Sequence, residues 1–263
     1  MTSLLEARGV GVRFGGLQAV ADFNFVVRGP GVYGIAGPNG SGKTTVLNAI
    51  TRAQAINSGS LRFGGVDYTR WPAHRVASLG ISRTFQNIRL VPNLTVLQNV
   101  MVGLHTTSAS ASIWGSWVQL PSARREERRS REHALELLRV LDIADTAAML
   151  PRELAYGHQR RVEIARALAG TPRLLLLDEP TAGMGRADAE LVAQLVRELG
   201  HRKTIAIVIV EHNIPLLASL CDRLVVMLAG RNLTEGSPAA VLTDERVVEA
   251  YLGRSAARKP APE

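Results

Sequence analysis

The sequence predicts an α/β fold with a phosphate-binding loop, a mixed or parallel central sheet, an antiparallel β subdomain at the N-terminus and a helical subdomain. A short apolar strand, "VYGIAG", leads into a glycine-rich loop and then into a helix, "KTTVLNAIT". The apolar runs "RLLLLDEP", "TIAIVIVEH" and "RLVVMLAG" are typical of parallel strands buried on both faces. Helical segments separate these runs, as expected of an α/β protein.

The remaining elements follow from side-chain periodicity. "LLEARGVGVRF" and "LQAVADFNFVV" alternate apolar and polar residues, which predicts antiparallel strands, and "GSLRFGG" predicts another strand. The pattern is mostly helical from about 87 to 165, with "TVLQNVMVGL" and "EHALELLRVLDI" as the clearest amphipathic segments. We expect a single domain over residues 1–253, with this helical subdomain inside it, and a disordered tail over 254–263.

Composition excludes several classes of protein. The chain has 263 residues and is 46% hydrophobic, but no stretch reaches about 18 consecutive apolar residues, so no membrane-spanning helix is expected. The N-terminus lacks the charged and apolar regions of a signal peptide. The single cysteine, Cys221, excludes an internal disulfide framework and suits the cytoplasm.

The formal net charge is +8, which fits a nucleic-acid partner, an anionic membrane surface or no specific partner. Much of the charge is local. "ARREERRSREH" (123–133) mixes both signs at helical spacing, which is typical of a solvated helix face. Upstream, "SIWGSW" (112–117) holds Trp114 and Trp117 in a Ser/Ala-rich setting. These tryptophans fit either the core of the helical subdomain or a surface that faces a partner or the membrane interface.

The segment "GPNGSGKT" matches the phosphate-loop pattern G-x-x-x-x-G-K-[ST] at every fixed position and lies between a predicted strand and a predicted helix. Its backbone N–H groups and the helix N-terminus suit phosphate oxygens. Lys43 is placed to reach the β and γ phosphates, and the Thr44 hydroxyl is placed to bind Mg²⁺. The fold is therefore a P-loop ATPase core, and the predicted nucleotide-binding residues here are Gly37, Pro38, Asn39, Gly40, Ser41, Gly42, Lys43, Thr44 and Thr45.

The apolar run in "LLLLDEP" ends in a pair of carboxylates, Asp178 and Glu179. Open α/β sheets bind ligands at the carboxyl ends of their strands. We therefore expect Asp178 to join the Mg²⁺ shell and Glu179 to polarise a water for attack on the γ-phosphate. Alone, the two residues would fit an acidic helix cap equally well, but the phosphate loop favours the catalytic interpretation.

Two further polar residues follow predicted strands. Gln86 lies in "RTFQN" and His212 lies in "IVEHN". A lone glutamine or histidine is more often structural than catalytic. Both are nevertheless expected at the sheet edge that carries Lys43 and Asp178, which favours a functional role.

In this order, "GPNGSGKTT", Gln86, "LAYGHQRR", "LLLLDEP" and His212 resemble an ABC-type ATPase. The resemblance implies that Glu179 is the general base, that Gln86 senses Mg²⁺ and the attacking water, and that His212 contacts the γ-phosphate. It also implies that Phe14 stacks on adenine, for which the alternative is a strand core residue. The family's signature loop faces ATP bound to a second subunit, and here it comprises Ala155, Tyr156, Gly157 and His158.

The signature departs from the family's usual L-S-G-G-Q. Ala155 replaces Ser, Tyr156 replaces the first Gly, and His158 stands where Gln is typical. Gly185 occupies the position of an aspartate that often follows this strand. These departures bear on the turnover rate and on the symmetry of the two sites.

Three segments resemble the ATP-binding subunits of branched-chain amino-acid importers: "SRTFQNIRLVPNLTVLQNV", "AYGHQRRVEIARALA" and "VLTDERVVEAYLG". This resemblance implies an ATP- and Mg²⁺-dependent subunit, peripheral on the cytoplasmic face of the inner membrane. It would pair with a second ATP-binding subunit, either the same chain or a paralogue. Two membrane permease subunits would contact residues 87–150 and the Gln86 loop, a substrate-binding protein would deliver the solute, and nucleic acid is not expected as a partner.

Other functions remain open at this point. Importers of urea and other amides are close relatives of the branched-chain type. A nucleic-acid-associated ABC ATPase fits less well, because the chain carries one cassette and no sustained heptads between Gln86 and the signature. A small-molecule P-loop kinase would leave the signature stretch and His212 without a role.

Overall fold

The computed structural model of the protein describes residues 3–105, 121–201 and 204–256. The strands are β1 Leu5–Phe14, β2 Leu17–Val27, β3 Gly31–Ala36, β4 Ser58–Phe63, β5 Val66–Asp67, β6 Ile81–Arg83, β7 Leu174–Asp178, β8 Ala206–Glu211, β9 Arg223–Leu228 and β10 Arg231–Gly236. The α-helices are α1 Lys43–Ile50, α2 Ala73–Val76, α3 Val96–His105, α4 Pro121–Val140, α5 Tyr156–Ala169, α6 Arg186–His201, α7 Ile214–Leu220, α8 Pro238–Leu242 and α9 Glu245–Ala256. Trp114, Trp117 and residues 257–263 of the expected tail lie outside the described residues.

The N-terminal strands form an antiparallel sheet in the order β2-β1-β4-β5. Leu5 pairs with Val27 on one side and with Phe63 on the other. Alternate side chains, including Leu5, Phe23 and Phe63, are buried between this sheet and the next one. The period of two explains why these strands alternate in sequence, and the predicted antiparallel β subdomain is confirmed.

The second sheet has the order β10-β9-β3-β8-β7-β6. Its strands are parallel except β10, which pairs antiparallel with β9, so the sheet is mixed. Leu174 and Leu176 of β7 face the antiparallel sheet, whereas Leu175 and Leu177 face the helices. Because both faces are covered, β7 is apolar throughout, as the sequence predicts.

Helices α3, α4 and α5 pack together through Val100, Leu138, Leu168 and their neighbours. The helical region begins later than the sequence pattern suggests, because residues 87–95 are not helical. The buried amide of Asn99 accepts a hydrogen bond from the Val91 N–H (2.8 Å) and donates to the carbonyls of Val91 (3.1 Å) and Leu94 (3.0 Å). These bonds pair backbone N–H and carbonyl groups of Val91 and Leu94, which would be paired within a helix if this segment were helical.

The last helix, α9, extends to Ala256, so residues 254–256 belong to it and not to the tail. Buried Val247 anchors its first turn, and no proline interrupts the following arginine- and alanine-rich residues before Pro260. Of the helices that the structure describes, none combines the length and the apolar character needed to cross a bilayer.

The sheet topology brings the predicted site residues together. The carboxyl ends of the parallel strands β3, β6, β7 and β8 lie at one edge of the mixed sheet. The phosphate loop follows β3, the Gln86 loop follows β6, Glu179 follows β7 and His212 follows β8. Segments far apart in sequence therefore meet along one edge.

Candidate nucleotide site

The phosphate loop connects β3 to the first turn of α1. Gly42 caps this helix with φ +100°, and a Cβ at this position would lie 2.7 Å from the Ala19 carbonyl oxygen. A Cβ at Gly37 would lie 2.5 Å from the Met227 carbonyl oxygen. Close backbone approach therefore requires glycine at both positions. The resulting loop presents the N-terminus of α1 to a cavity, as an anion site requires.

This cavity has a volume of about 520 Å³, within the range of small-molecule sites. One wall is formed by the start of β2 and the other by the phosphate loop, and Gln86 and Glu179 also line the cavity. The lining residues are Leu17, Gln18, Ala19, Asn39, Gly40, Gly42, Lys43, Thr44, Thr45, Gln86, Glu179, Ala229 and Gly230. Pro38 and Ser41 complete the loop, and Ser41 is buried.

The turn between β9 and β10 closes the cavity. The Gly230 N–H donates to the Ser41 carbonyl oxygen at 3.1 Å, and the Gly230 carbonyl accepts from the Ala21 N–H at 2.8 Å. This one residue therefore binds both the phosphate loop and β2. In the sequence, Gly230 is recognisable only as a glycine in a turn.

Lys43 is buried beneath the loop, with 5% of its surface exposed. Its Nζ donates to the carbonyl oxygens of Gly37 (2.8 Å) and Pro38 (3.1 Å). Burial lowers the pKa of this ammonium, and the nearby carboxylates, that of Glu179 foremost, oppose the shift. A cation is thus held at the phosphate-loop side of the cavity.

Asp178 lies at the end of β7, and its Oδ1 is 3.5 Å from the Thr44 hydroxyl. Its other oxygen, Oδ2, accepts a 2.7 Å hydrogen bond from Arg83. Arg83 also donates to Asn48 Oδ1 at 2.6 Å. The structure therefore brings Thr44 and Asp178 together, as predicted, and adds Arg83, which the sequence reasoning missed. An arginine at the end of a strand, three residues before Gln86, was the available signal.

Glu179, Gln86 and His212 form a second group beside the phosphate loop. Gln86 Nε2 donates to Glu179 Oε2 at 3.4 Å, and His212 Nδ1 lies 3.8 Å from Glu179 Oε1. Glu179 has φ +45°, which is rare for a residue with a Cβ and is typical of functional positions. The Gln86 loop after β6 and the His212 loop after β8 thus both reach the Glu179 carboxylate at the end of β7.

Glu211 is a buried carboxylate that the sequence reasoning also missed. It accepts from the Thr181 hydroxyl at 2.7 Å and lies 3.6 Å from His212 Nδ1. Like Asp178, it ends an apolar strand, and that position was the available signal. Glu211 fixes the loop after Glu179 and adds negative charge beside His212.

The signature residues lie apart from this cavity. Ala155 caps α5 without a side-chain hydrogen bond, and a Cβ at Gly157 would lie 2.9 Å from the Asp188 side chain. The ring of Tyr156 is half-exposed, with 42% of its surface in solvent. The His158 N–H donates to the Ala155 carbonyl oxygen at 3.0 Å. None of these four residues is among those that line the cavity.

Phe14 also lies outside the cavity lining. It pairs with Leu17 at the β1–β2 turn, and 47% of its surface is exposed. Leu17, exposed to 67%, lines the cavity instead. Stacking of Phe14 on a base therefore stays a prediction.

Comparison with known proteins agrees with this geometry. Residues 20–182 match the family described as "ABC transporter", and residues 231–257 match the family described as "Branched-chain amino acid ATP-binding cassette transporter". The chain is 36% identical, over 252 residues, to BraF of Pseudomonas aeruginosa, a high-affinity branched-chain amino acid transport ATP-binding protein. The alignment covers 96% of this chain and 98% of BraF.

Two solved structures with the same architecture are ATP-binding cassettes. The ADP conformation of MJ1267, an ATP-binding cassette of an ABC transporter, has a TM-score of 0.81 and 29% identity, and covers 96% of this chain and 100% of its own. The dimeric cassette MJ0796 has a TM-score of 0.75 and 26% identity, and covers 89% of this chain and 98% of its own. The chain therefore belongs to the ABC transporter family, as an ATP-binding and ATP-hydrolysing subunit with the C-terminal module of the branched-chain amino acid type.

Proposed function

We propose that this chain powers an importer of branched-chain amino acids. The observation that carries the proposal is the similarity to BraF over 96% of the chain. The match of residues 231–257 to the C-terminal module of branched-chain transporters also supports it. ATP binding and hydrolysis would then be the energy source, and the solute itself need not touch this subunit.

The site residues divide into binding and catalytic roles. Lys43 binds the β and γ phosphates, while Thr44 and Asp178 hold Mg²⁺ with help from Gln86. A hydroxyl and a carboxylate 3.5 Å apart fit this ion, which takes few protein ligands and completes its shell with phosphates and water. Bound Mg²⁺ supplies neutralisation of the phosphate charge.

Hydrolysis is assigned to the group around Glu179. Its carboxylate accepts a proton from the attacking water, Gln86 orients that water, and His212 contacts the γ-phosphate. The 3.4 Å contact between Gln86 and Glu179 supports this division, because a base and an orienting group must share one water. Phe14 is proposed to stack on adenine at the open end of the cavity.

A second ATP-binding subunit, a copy of this chain or a paralogue, completes the site. Ala155, Tyr156, Gly157 and His158 lie away from the cavity of their own chain, which favours a role at the nucleotide of a partner. The dimeric arrangement of MJ0796 supports such pairing. The N-terminus of α5 is then available to the partner's phosphates.

Two membrane permease subunits are the remaining direct partners, which places the chain on the cytoplasmic face of the inner membrane. The apolar side chains of Phe85, Val91 and Val102 are about two-fifths exposed in and after the Gln86 loop. These partly exposed apolar side chains lie in the region proposed for the permease contact. A substrate-binding protein is an indirect partner, and nucleic acid is not a partner.

Transport in proteoliposomes tests the proposal. The chain is purified together with its permease subunits, and uptake of labelled leucine is measured with ATP inside the vesicles. We expect ATP-dependent leucine uptake that Glu179→Gln abolishes. Uptake of urea or an amide in place of leucine would contradict the solute class, and ATPase activity stimulated by DNA would contradict the transport role.

A further inference from the structure

Helix α5 holds the Gln86 loop through side chains spaced three residues apart. Arg160 donates to the carbonyl oxygens of Phe85 (2.6 Å) and Gln86 (2.7 Å). Glu163 accepts from Arg160 at 2.7 Å and from the Phe85 N–H at 3.4 Å. Arg166, one turn on, donates to the Arg89 carbonyl at 2.6 Å. The loop backbone is thereby fixed to one face of α5.

The central pair of this contact is fully buried. Arg160 has no exposed surface and Glu163 has 1% exposed. Burial raises the pKa of the Glu163 carboxyl, and Arg160 opposes that shift. A buried ion pair is a poor source of stability, because desolvation offsets the attraction between its charges. Two consecutive loop carbonyls on one guanidinium indicate that the pair serves to position the loop.

The same guanidinium reaches the signature. Arg160 Nη2 lies 3.3 Å from the Tyr156 hydroxyl, and the guanidinium lies 5.9 Å from the centre of the Tyr156 ring. Tyr156 is half-exposed at the start of α5, and its ring lies 3.7 Å from a Cβ placed on Gly183. On the other side, the Gln86 amide contacts Glu179. A continuous series of contacts thus joins Tyr156 to Glu179 through Arg160 and Gln86.

We propose that Arg160 is a positioning residue that couples the start of α5 to Gln86. The signature is proposed to face the partner's nucleotide, so a shift of Tyr156 on pairing changes the placement of Gln86 at the chain's own site. Arg160 acts through the backbone of Gln86 and does not touch the nucleotide. The inference rests on the proposed role of Gln86 in hydrolysis.

The decisive variant removes both buried charges together. Arg160→Met with Glu163→Met removes both charges of the central pair, and apolar replacement of a buried ion pair is often neutral or stabilising. Arg166, whose Nη2 lies 4.0 Å from Glu163, keeps its hydrogen bond to the Arg89 carbonyl. We expect the melting temperature to be retained, the KM for ATP to stay within about twofold, and kcat to fall by about tenfold to a hundredfold, since small misplacements of a catalytic group have effects of this size. An unchanged kcat in the folded variant would overturn the proposal.

A matched control comes from the β9–β10 pair. Arg223 and Glu235 form an ion pair at 3.3 Å, but their side chains are 43% and 50% exposed. Arg223→Met with Glu235→Met should leave both kcat and KM unchanged. A loss of kcat equal to that of the buried double variant would show that any paired-charge removal has this effect, and would also overturn the proposal.

A milder variant decides the matter if the double variant does not fold. Arg160→Lys keeps the charge beside Glu163 but loses the planar fork that serves two carbonyls. We expect a lower kcat at unchanged KM, with faster amide hydrogen exchange over residues 84–90. Wild-type kcat and wild-type exchange in this variant would contradict the proposal.

A double-mutant cycle separates this inference from the role assigned to Gln86. If Arg160 acts through Gln86, Arg160→Lys should cause no further loss of kcat in a Gln86→Ala background. Losses that multiply would show that Arg160 acts elsewhere. Wild-type kcat in Gln86→Ala alone would instead refute the role of Gln86, which is a different outcome.

Discussion

The guanidinium of Arg83 donates a 2.7 Å hydrogen bond to Oδ2 of Asp178, and only 8% and 1% of the two side chains are exposed. This bond occupies Oδ2 of the Asp178 carboxylate, while Oδ1 faces the Thr44 hydroxyl. Arg83 is itself held by Asn48 in α1. The metal-binding carboxylate that we propose is therefore oriented by a cation from the neighbouring strand.

Arg83→Met should lower the free energy of unfolding by about 3–5 kcal/mol, because it leaves the buried Asp178 carboxylate without its partner. Urea denaturation measures the change. Arg223→Met is the control: its ion pair with Glu235 is about half exposed, so the loss should stay below about 1 kcal/mol. Equal losses in the two variants would show that Asp178 does not depend on Arg83.

Lys43→Ala should remove most ATP binding, because no other ammonium lies under the phosphate loop in the described part of the chain. Hydrogen bonds to charged groups contribute about 1.5–3 kcal/mol, which corresponds to a tenfold or larger rise in Kd. Titration with a fluorescent ATP analogue measures it. Wild-type affinity and hydrolysis in this variant would contradict the assignment of the phosphate site.

Glu179→Gln should keep nucleotide binding and lose hydrolysis. The amide fills the same space but cannot accept the proton of the attacking water, and loss of a general base costs about 10²–10⁴-fold in rate. Size-exclusion chromatography with and without Mg-ATP should then reveal an ATP-dependent dimer. Normal hydrolysis would mean that another residue, with Glu211 as the first candidate, is the base.

Gly42→Ala should destabilise the fold by about 1–3 kcal/mol, because alanine at φ +100° is strained and its Cβ would meet the Ala19 carbonyl. Nucleotide affinity should fall with it, since the strain lies at the N-terminus of α1. Gly16→Ala is the matched control, with no atom within 4 Å of the new Cβ. Equivalent stability in the two variants would show that the loop relaxes freely.

Part of the site could be predicted because it depends on contiguous sequence. The phosphate loop is one segment with fixed spacing, and Asp178 and Glu179 end a strand whose apolar character is evident. The contacts of Arg83 and Arg160 could not be predicted in this way. Arg83 meets Asp178 only because β6 pairs with β7, and Arg160 meets Gln86 only because α5 packs beside that loop.

The fold likewise has a part that can be predicted from local sequence and a part that cannot. Strands and long helices follow from side-chain periodicity, which is local. The non-helical path of residues 87–95 depends on the buried Asn99 amide, and this side chain looks like an ordinary helix residue in the sequence. Pairing at a distance and the burial of single polar groups are decided by tertiary packing, which periodicity does not describe.

The two hydrogen bonds of Gly230 set the width of the nucleotide cavity. Gly230 is hydrogen-bonded to Ala21 in β2, which forms one wall, and to Ser41 in the phosphate loop, which forms the other. The two walls cannot separate without breaking one of these bonds. The distance that a bound nucleotide must span between β2 and the phosphate loop is therefore determined by a turn that itself need not contact the phosphates.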